Sequence, residues 1–318
     1  MARVVVIGAT GHVGGYLVPR LVRAGHDVVA VSRGEASPYR KDPAWQQVER
    51  RQLDRSALEV DERFGAEIAA LGGDIVIDLI CFTLASARQL VEAVADEIDL
   101  LVHIGTVWTH GHSVAVPTVE ETVKKPFGDY GIAKAEVEAY LLRQARRHGL
   151  PATIVHPGHI VGPGWVPLNP AGHFNPETYA TIARGEPLTL PNLGLETVHH
   201  VHADDVAGLV MATIECRNQS VGESFHAVSE QALSLRGYAE EMYRWFGSEP
   251  RLEFQPYTEW AAGQDPDDAS ATWDHIAHSP SCSMAKARRL LDFRPRYSSL
   301  EAVQESVTWL IDHGRLTV

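Results

Sequence analysis

Thr106, Tyr130 and Lys134 have the side-chain types and the spacing expected of a proton-transfer site. Tyr130 and Lys134 stand at positions i and i+4, so on a helix they share one face, one turn apart. A free tyrosine has a pKa near ~10 and is a poor base at neutral pH, but a neighbouring lysine ammonium favours the phenolate. Thr106 follows a buried apolar run, Leu101–Ile104, at the sheet edge where ligands bind in parallel α/β folds. The set predicts acid–base chemistry at a carbon–oxygen centre.

Gly8, Gly11 and Gly14 form a GxxGxxG pattern between the first apolar run and the first amphipathic segment. Gly8 permits a tight turn, Gly11 lets the backbone approach a pyrophosphate, and Gly14 lets helix and strand pack closely. Glycines at this spacing also serve in structural turns, but their place between a first strand and a helix predicts a dinucleotide site. The predicted cofactor contacts are Gly8, Thr10, Gly11, His12, Val13, Gly14, Ser32, Arg33, Leu79, Ile80, Lys134 and His156.

The end of the second predicted strand indicates which dinucleotide is bound. An acidic residue there would bind the ribose diol and repel a 2′-phosphate, whereas this chain has Ser32-Arg33. The planar guanidinium offers paired donors to a phosphate. We therefore expect NADP, with NAD as the alternative if Arg33 and its basic neighbours are only solvated loop charges.

The order of the elements predicts an α/β fold. Short β-branched runs alternate with amphipathic segments, which is typical of a Rossmann-type doubly wound parallel sheet. We expect an NAD(P)-binding domain at 1–156 and a smaller, mainly substrate-binding lobe at 157–318, with a segment at about 198–228 returning to the sheet. The predicted strands are Val4–Ile7, Asp27–Val31, Val48–Leu53, Asp74–Ile80, Leu100–Ile104, Ala152–Val155 and Glu223–Val228. The predicted helices are Val13–Ala24, Leu84–Ile98, Tyr130–His148, Glu177–Arg184, Asp204–Glu215, Leu235–Trp245, Met284–Leu291 and Leu300–His313.

Taken in order, these motifs resemble the extended short-chain dehydrogenase/reductase family, the NAD-dependent epimerase/dehydratase group. The resemblance rests on Gly8–Gly14, on IGTVWTHG (Ile104–Gly111) and on the YxxxK pair of Tyr130–Lys134. HVHADDVA (His200–Ala207) resembles the family's returning segment, and AKARRLLDFRPR (Ala285–Arg296) its C-terminal signature. The resemblance therefore spans nearly the whole chain.

The resemblance implies a role for each catalytic candidate. Tyr130 would be the general acid/base, Lys134 would bind the nicotinamide ribose and lower the tyrosine pKa, and Thr106 would hydrogen-bond the reacting oxygen. His156-Pro157 stands where the family often has Arg-Pro, and His110 where it often has tyrosine.

The chain departs from members that act on nucleotide-diphosphate sugars. His159 replaces a usual asparagine, Val198 replaces a usual arginine, and there is no arginine between Arg251 and Arg288. That stretch carries instead Glu259, Asp265, Asp267, Asp268 and Asp274. An acid-rich pocket without an arginine clamp disfavours a diphosphate.

We therefore expect a small, non-nucleotide substrate with a neutral ring, either sugar-like or an aromatic or polyketide-like carbonyl compound. Imidazole and aromatic groups suit such a ring. The predicted substrate contacts are Cys81, Trp108, His110, His159, Trp165 and His173. Although a buried structural thiol is the plainer interpretation of Cys81, its place after the fourth strand puts it near the nicotinamide.

The composition disfavours several other classes of binding partner. The formal net charge of −13, from 41 acidic and 28 basic residues, disfavours nucleic acid and membrane surfaces. Three scattered cysteines give neither a disulfide framework nor a zinc motif and predict a reducing cytoplasm. The clustered histidines lack a convergent set of ligands, so we expect no bound metal. A homodimer is compatible with the sequence.

Three functions remain open at this stage. The first is a reductase or dehydrogenase that releases its cofactor at each turnover. The second is a redox-neutral epimerase or dehydratase that uses the same side chains on a retained cofactor. The third is a nucleotide-sensing or RNA-associated relative without turnover, which the intact catalytic set and the acidic charge disfavour.

Overall fold

The protein is described by a computed structural model that covers residues 1–38 and 40–318. The strands are β1 (Arg3–Ile7), β2 (Asp27–Ser32), β3 (Glu49–Gln52), β4 (Ile75–Asp78), β5 (Leu100–Ile104), β6 (Ala152–Pro157), β7 (His159–Val161), β8 (Leu188–Pro191), β9 (Thr197–Val198), β10 (His200–His202), β11 (Ser224–Ala227), β12 (Leu233–Ser234) and β13 (Leu252–Gln255). The α-helices are α1 (His12–Arg23), α2 (Arg55–Val60), α3 (Phe64–Ala69), α4 (Leu84–Val94), α5 (Gly128–His148), α6 (Glu177–Ala183), α7 (Ala203–Glu215), α8 (Arg217–Ser220), α9 (Leu235–Trp245), α10 (Tyr257–Ala262), α11 (Pro266–His278), α12 (Ala285–Leu291) and α13 (Ser299–Asp312).

A seven-stranded parallel sheet in the order β11-β6-β5-β4-β1-β2-β3 organises the described chain. Its central strands are apolar on both faces because helices cover both: α1 and α7 contribute to the core on one side, and α4 and α5 to the core on the other. The predicted doubly wound Rossmann-type sheet is confirmed. The strand order reverses beside β1, where ligands bind in this architecture.

A second hydrophobic core lies in the part of the chain after β6. It packs α6, α9 and α13 around buried aromatic side chains, among them Tyr179, Tyr238 and Trp260. The hydroxyls of Tyr179 and Tyr238 are 2.8 Å apart, and the Trp260 indole donates to the Thr189 carbonyl at 3.0 Å, so the polar ends of these rings are satisfied. The lobe also sends α7, β11 and α12 back to the sheet.

Most element bounds differ from the predicted ones by one or two residues, but a few differences are larger. Strand β4 stops at Asp78 rather than Ile80, because the Asp78 carboxylate accepts from the Ile80 amide and from buried Arg55. Helix α4 ends at Val94 instead of Ile98. The acidic stretch after Gln264 forms α11, which the sequence analysis did not predict; Asp265 caps it by accepting from the Asp267 amide.

Candidate active site

The glycine loop has the close packing that its pattern predicts. Gly8 has φ +83°, a conformation that favours glycine, and a Cβ there would lie 2.8 Å from the Ile80 side chain. A Cβ on Gly14 would lie 2.1 Å from the Ala9 carbonyl oxygen. Gly11 precedes the first residue of α1, so the N-terminal amides of α1 face the loop. Gly8 and Gly14 therefore permit the tight turn and the close helix–strand packing of a dinucleotide loop.

Tyr130 and Thr106 meet across the end of the sheet. Thr106 lies two residues beyond β5, and its hydroxyl accepts from the Trp108 amide at 3.3 Å. Tyr130 lies in the first turn of α5 and lines the same cavity as Thr106. Burial raises the pKa of Tyr130, and the nearby Thr106 side chain opposes that rise. The protein residues alone thus keep the phenol protonated.

Lys134 lies one turn further along α5 and is almost fully buried, 2% exposed. Its ammonium donates to the carbonyl oxygens of Cys81 at 2.6 Å and Ile104 at 2.8 Å. Burial lowers the pKa of Lys134 to about 8, although Cys81 and Asp78 oppose the change. These two bonds hold the ammonium between the ends of β4 and β5, below the tyrosine.

These groups share one cavity of about 520 Å³. Glycine-loop residues, the catalytic candidates Tyr130, Lys134 and Thr106, and a set of ring-bearing residues all line it. The ring-bearing residues are Trp108, His159, Trp165, Phe174 and His275. Among residues 1–38 and 40–318, Lys134 is the only lysine, arginine, aspartate or glutamate that lines this cavity.

The histidines of this cavity are neutral near pH 7. Burial lowers the pKa of His12 to about 4 and that of His275 to about 4, and it holds the pKa of His159 well below its usual range. His12 stacks on Trp165 with ring centroids 4.5 Å apart. The part of the cavity wall that these rings form is therefore uncharged.

A second cavity of about 450 Å³ adjoins the first, and Gly8, Ile80 and Phe82 line both. It lies beside the end of β2 and includes Ser32 and Arg33. The two cavities on either side of the glycine loop give an elongated site that fits a dinucleotide, with the glycines at its middle.

Two arginines line the second cavity. The Arg33 side chain is 65% exposed and pairs with Glu35 at 3.2 Å. Arg55 is buried and bonds Asp78 at 2.8 Å and Glu59 at 2.6 Å, so carboxylates already match its charge. Arg33 is thus the better placed of the two to meet a phosphate.

The structure brings most of the predicted contacts together. Gly8, Gly11, His12, Val13, Gly14, Leu79 and Ile80 line the first cavity, with the substrate candidates Trp108, His159 and Trp165. Thr10 belongs to the loop but is not among the lining residues.

Three predicted substrate residues lie outside the 520 Å³ cavity. His110 is buried with Nε2 2.8 Å from Nε2 of His226. His173 hydrogen-bonds Asn169 and lines a separate cavity of about 240 Å³. The Cys81 thiol is buried behind the strand end, 3.6 Å from the Thr83 carbonyl, and only its own carbonyl reaches Lys134.

His156 also differs from its predicted role as a cofactor contact. Its Nδ1 accepts from the Thr106 amide at 3.0 Å, and its Nε2 is 2.9 Å from the Glu138 carboxylate. Both ring nitrogens are therefore engaged inside the protein, and Pro157 rather than His156 reaches the cavity.

The predicted acid-rich pocket is wrong. Glu259 and the four aspartates lie on or beside α10 and α11, and none of them lines the 520 Å³ cavity. They were placed at the pocket because family members that act on nucleotide-diphosphate sugars supply an arginine from this part of the chain. In the structure α11 turns His275 toward the cavity instead. The case against a diphosphate now rests on the absence of arginine from the described lining.

Sequence analysis missed several lining residues and one buried acid. Phe82 and Phe174 are about half exposed at the cavity, and they carry no motif signal beyond their place after predicted strands and turns. Glu138 carried a usable signal, because it stands one further helical turn after Lys134 in α5.

Residues 1–38 and 40–318 contain neither a metal site nor a membrane-spanning helix. No group of three or more histidine, cysteine, aspartate or glutamate side chains is arranged there to hold a metal ion. In the same described part, every helix is too short or too polar to span a membrane.

Fold and site together define a Rossmann-type oxidoreductase with a tyrosine–lysine–threonine group at the dinucleotide cavity. Residues 4–227 match the model of the NAD dependent epimerase/dehydratase family, and the chain belongs to that family.

Among the proteins that are similar to the chain are two sequence relatives and one solved structure. It is 29% identical to the 2'-dehydrokanamycin reductase of Streptomyces kanamyceticus, over 99% of this chain and 86% of that protein. It is 22% identical to the chloroplast stem-loop binding protein of 41 kDa b from Arabidopsis thaliana, over 99% and 80%. Its fold is that of the UDP-glucose 4-epimerase of Thermotoga maritima, solved with UDP-glucose, with a TM-score of 0.74 at 19% identity and coverage of 98% and 99%. The family match and the reductase relative support an enzyme of this family.

Proposed function

We propose that this protein is an NADP-dependent reductase or dehydrogenase acting at a carbonyl or secondary alcohol carbon of a small, uncharged, ring-bearing substrate that is not a nucleotide sugar. One observation carries the proposal: Tyr130 and Thr106 line one cavity with the glycine loop, and neutral rings form much of the wall of that cavity.

The protein residues divide the chemistry between them. Bound at the loop, the nicotinamide supplies or accepts the hydride. Tyr130 gives or takes the proton at the substrate oxygen, and Thr106 donates a second hydrogen bond to that oxygen. Lys134, whose buried ammonium already lies one helical turn from Tyr130, binds the ribose and favours the phenolate when the tyrosine must act as a base.

The cavity wall supports the substrate class. Trp108 stacks on His278 with centroids 4.1 Å apart and meets His275 edge-on at 5.2 Å, which fixes its ring plane. The ring centroids of His159 and His275 are 4.5 Å apart. Such a wall favours a neutral ring over a diphosphate, since an anion of that charge needs arginine or lysine donors.

NADP is favoured over NAD by the residues at the end of β2. Ser32 and Arg33 line the second cavity, and no aspartate or glutamate follows β2 directly to oppose a 2′-phosphate. We also expect a small-molecule substrate as the partner, in line with the formal charge of −13, which disfavours nucleic acid.

A redox-neutral epimerase or dehydratase is the second candidate, and the family match and the epimerase fold favour it. It would use the same tyrosine, lysine and threonine. The name of the Streptomyces relative favours a reductase instead.

Two measurements test the proposal. Mass spectrometry of the purified protein identifies any retained nucleotide: a tightly held NAD would favour the second candidate. A screen of neutral cyclic and aromatic ketones and aldehydes then follows NADPH oxidation, with UDP- and dTDP-sugars in parallel. Turnover of a nucleotide sugar, with none of the neutral ring compounds accepted, would contradict the proposal.

A further inference from the structure

A buried chain of hydrogen bonds connects helix α5 to the catalytic threonine. Lys124 bonds the Glu138 carboxylate, whose Oε1 lies 2.9 Å from Nε2 of His156, and Nδ1 of His156 accepts from the Thr106 amide at 3.0 Å. His156 is 0% exposed and Glu138 is 2% exposed, so water does not compete for these bonds.

The donors and acceptors of this chain fix one tautomer of His156. The Thr106 backbone amide can only donate, so Nδ1 must keep its lone pair. The ring proton therefore stands on Nε2 and is donated to the carboxylate of Glu138. Burial lowers the pKa of His156, which keeps the ring neutral beside that carboxylate.

The packing around the ring leaves it little freedom. A Cβ on Gly105 would lie 2.4 Å from Nδ1 of His156, so the imidazole lies directly against the backbone that precedes Thr106. Thr106 follows β5 and His156 lies on β6, and these two strands are neighbours in the sheet. A rotated ring would lose both bonds at once.

Thr106 is the residue through which this arrangement reaches the reaction. Its amide donates to His156, its hydroxyl accepts from the Trp108 amide, and its side chain lines the cavity together with Tyr130. A threonine displaced from this position would no longer present its hydroxyl to the oxygen that Tyr130 protonates.

We propose that Glu138 and His156 are positioning residues that hold Thr106 against Tyr130 by fixing the Nε2-protonated tautomer of the buried imidazole. This inference rests on the proposed role of Thr106 and goes beyond it, because neither Glu138 nor the imidazole reaches the cavity. Glu138→Gln weakens the arrangement, since a neutral amide accepts less strongly from Nε2 and, when turned to donate, forces the proton to Nδ1 against the Thr106 amide.

The first test needs no substrate. Nitrogen-15 histidine labelling and long-range imidazole spectra of the wild-type protein report the tautomer, with the His156 signal assigned by its loss in His156→Gln. A neutral ring protonated on Nε2 is expected; an imidazolium, or a ring protonated on Nδ1 at pH 7, would overturn the inference. Because the tautomer is measured without turnover, this result tests the inference separately from the proposed function.

The second test is kinetic and uses the substrate found in the screen. Glu138→Gln should lower turnover about 10- to 100-fold with little change in the NADPH dissociation constant, while Glu136→Gln, exposed on the same helix, should not. The double variant Thr106→Val/Glu138→Gln should turn over within about twofold of Thr106→Val, because both act through one hydroxyl. Full additivity in that double variant, or wild-type turnover in folded Glu138→Gln, would refute the positioning role.

Discussion

Lys134→Met removes a buried positive charge that lowers the free energy of unfolding, and the size of this effect depends on pH. The ammonium is 2% exposed, and burial lowers its pKa from the ordinary 10.5 to about 8. The difference between the folded pKa of about 8 and the ordinary value of 10.5 corresponds to about 3 kcal/mol of unfolding free energy, because each pKa unit is worth about 1.4 kcal/mol. A lysine held in this way is typical of a functional site.

The sign follows from proton binding. Below pH 8 the lysine is charged in both the folded and the unfolded chain, so the full cost of burying it is present. Between pH 8 and pH 10.5 the unfolded chain binds the proton and the folded chain does not, so wild-type stability rises with pH relative to the variant. The rise should reach about 1.4 kcal/mol by pH 9.

Urea unfolding of wild type and Lys134→Met from pH 7 to pH 9.5 measures this difference. Lys125→Met removes an exposed lysine and is the control for the change in net charge. The two carbonyls that Lys134 bonds lose a donor in the variant, which shifts the difference by a constant at every pH. A wild-type-minus-variant stability that stays flat over this range would refute the reasoning.

Three further predictions concern the cofactor and the substrate. Arg33→Asp should invert the preference from NADPH to NADH in dissociation constants, whereas Arg63→Asp, also an exposed arginine paired with a glutamate, should not; equal affinities in all three proteins would count against NADP. Gly14→Ala should destabilise the fold by about 1–3 kcal/mol and weaken dinucleotide binding, because its Cβ meets the Ala9 backbone; Gly237→Ala, where the Cβ meets only the Ser234 hydroxyl at 3.1 Å, is the control in thermal unfolding and cofactor titration. UDP-glucose should show no micromolar binding in calorimetry, since arginine is absent from the described cavity lining; tight, salt-sensitive binding would contradict the substrate class.

The sheet was predictable because its strands carry strong local signals. Val4–Ile7 is a continuous apolar run that stops at Gly8, and Leu100–Ile104 is apolar apart from His103; both lie in the central sheet as expected. The glycine loop was predictable for the same reason, since the positive φ of Gly8 and the close approach at Gly14 follow from one short motif.

The wall of the cavity could not be predicted in full, because long-range packing decides it. His159, Trp108 and Trp165 reach the cavity, but His110 turns to His226, more than a hundred residues along the chain. No local pattern distinguishes these histidines. His275, a further lining residue, was not predicted because it lies on α11. The acidic first turn of that helix suggested a solvated or pocket-lining stretch rather than a helix.

The central claim, that Tyr130 moves the proton, is tested most directly by single-turnover hydride transfer in Tyr130→Phe, with NADPH titration of the same protein. Tyr140→Phe, a buried tyrosine of α5 outside the cavity, is the control. The account predicts a rate lowered ~10²–10⁴-fold in Tyr130→Phe, with an almost unchanged cofactor dissociation constant, since the phenol oxygen acts on the substrate. A folded Tyr130→Phe protein that transfers hydride as fast as Tyr140→Phe would contradict it.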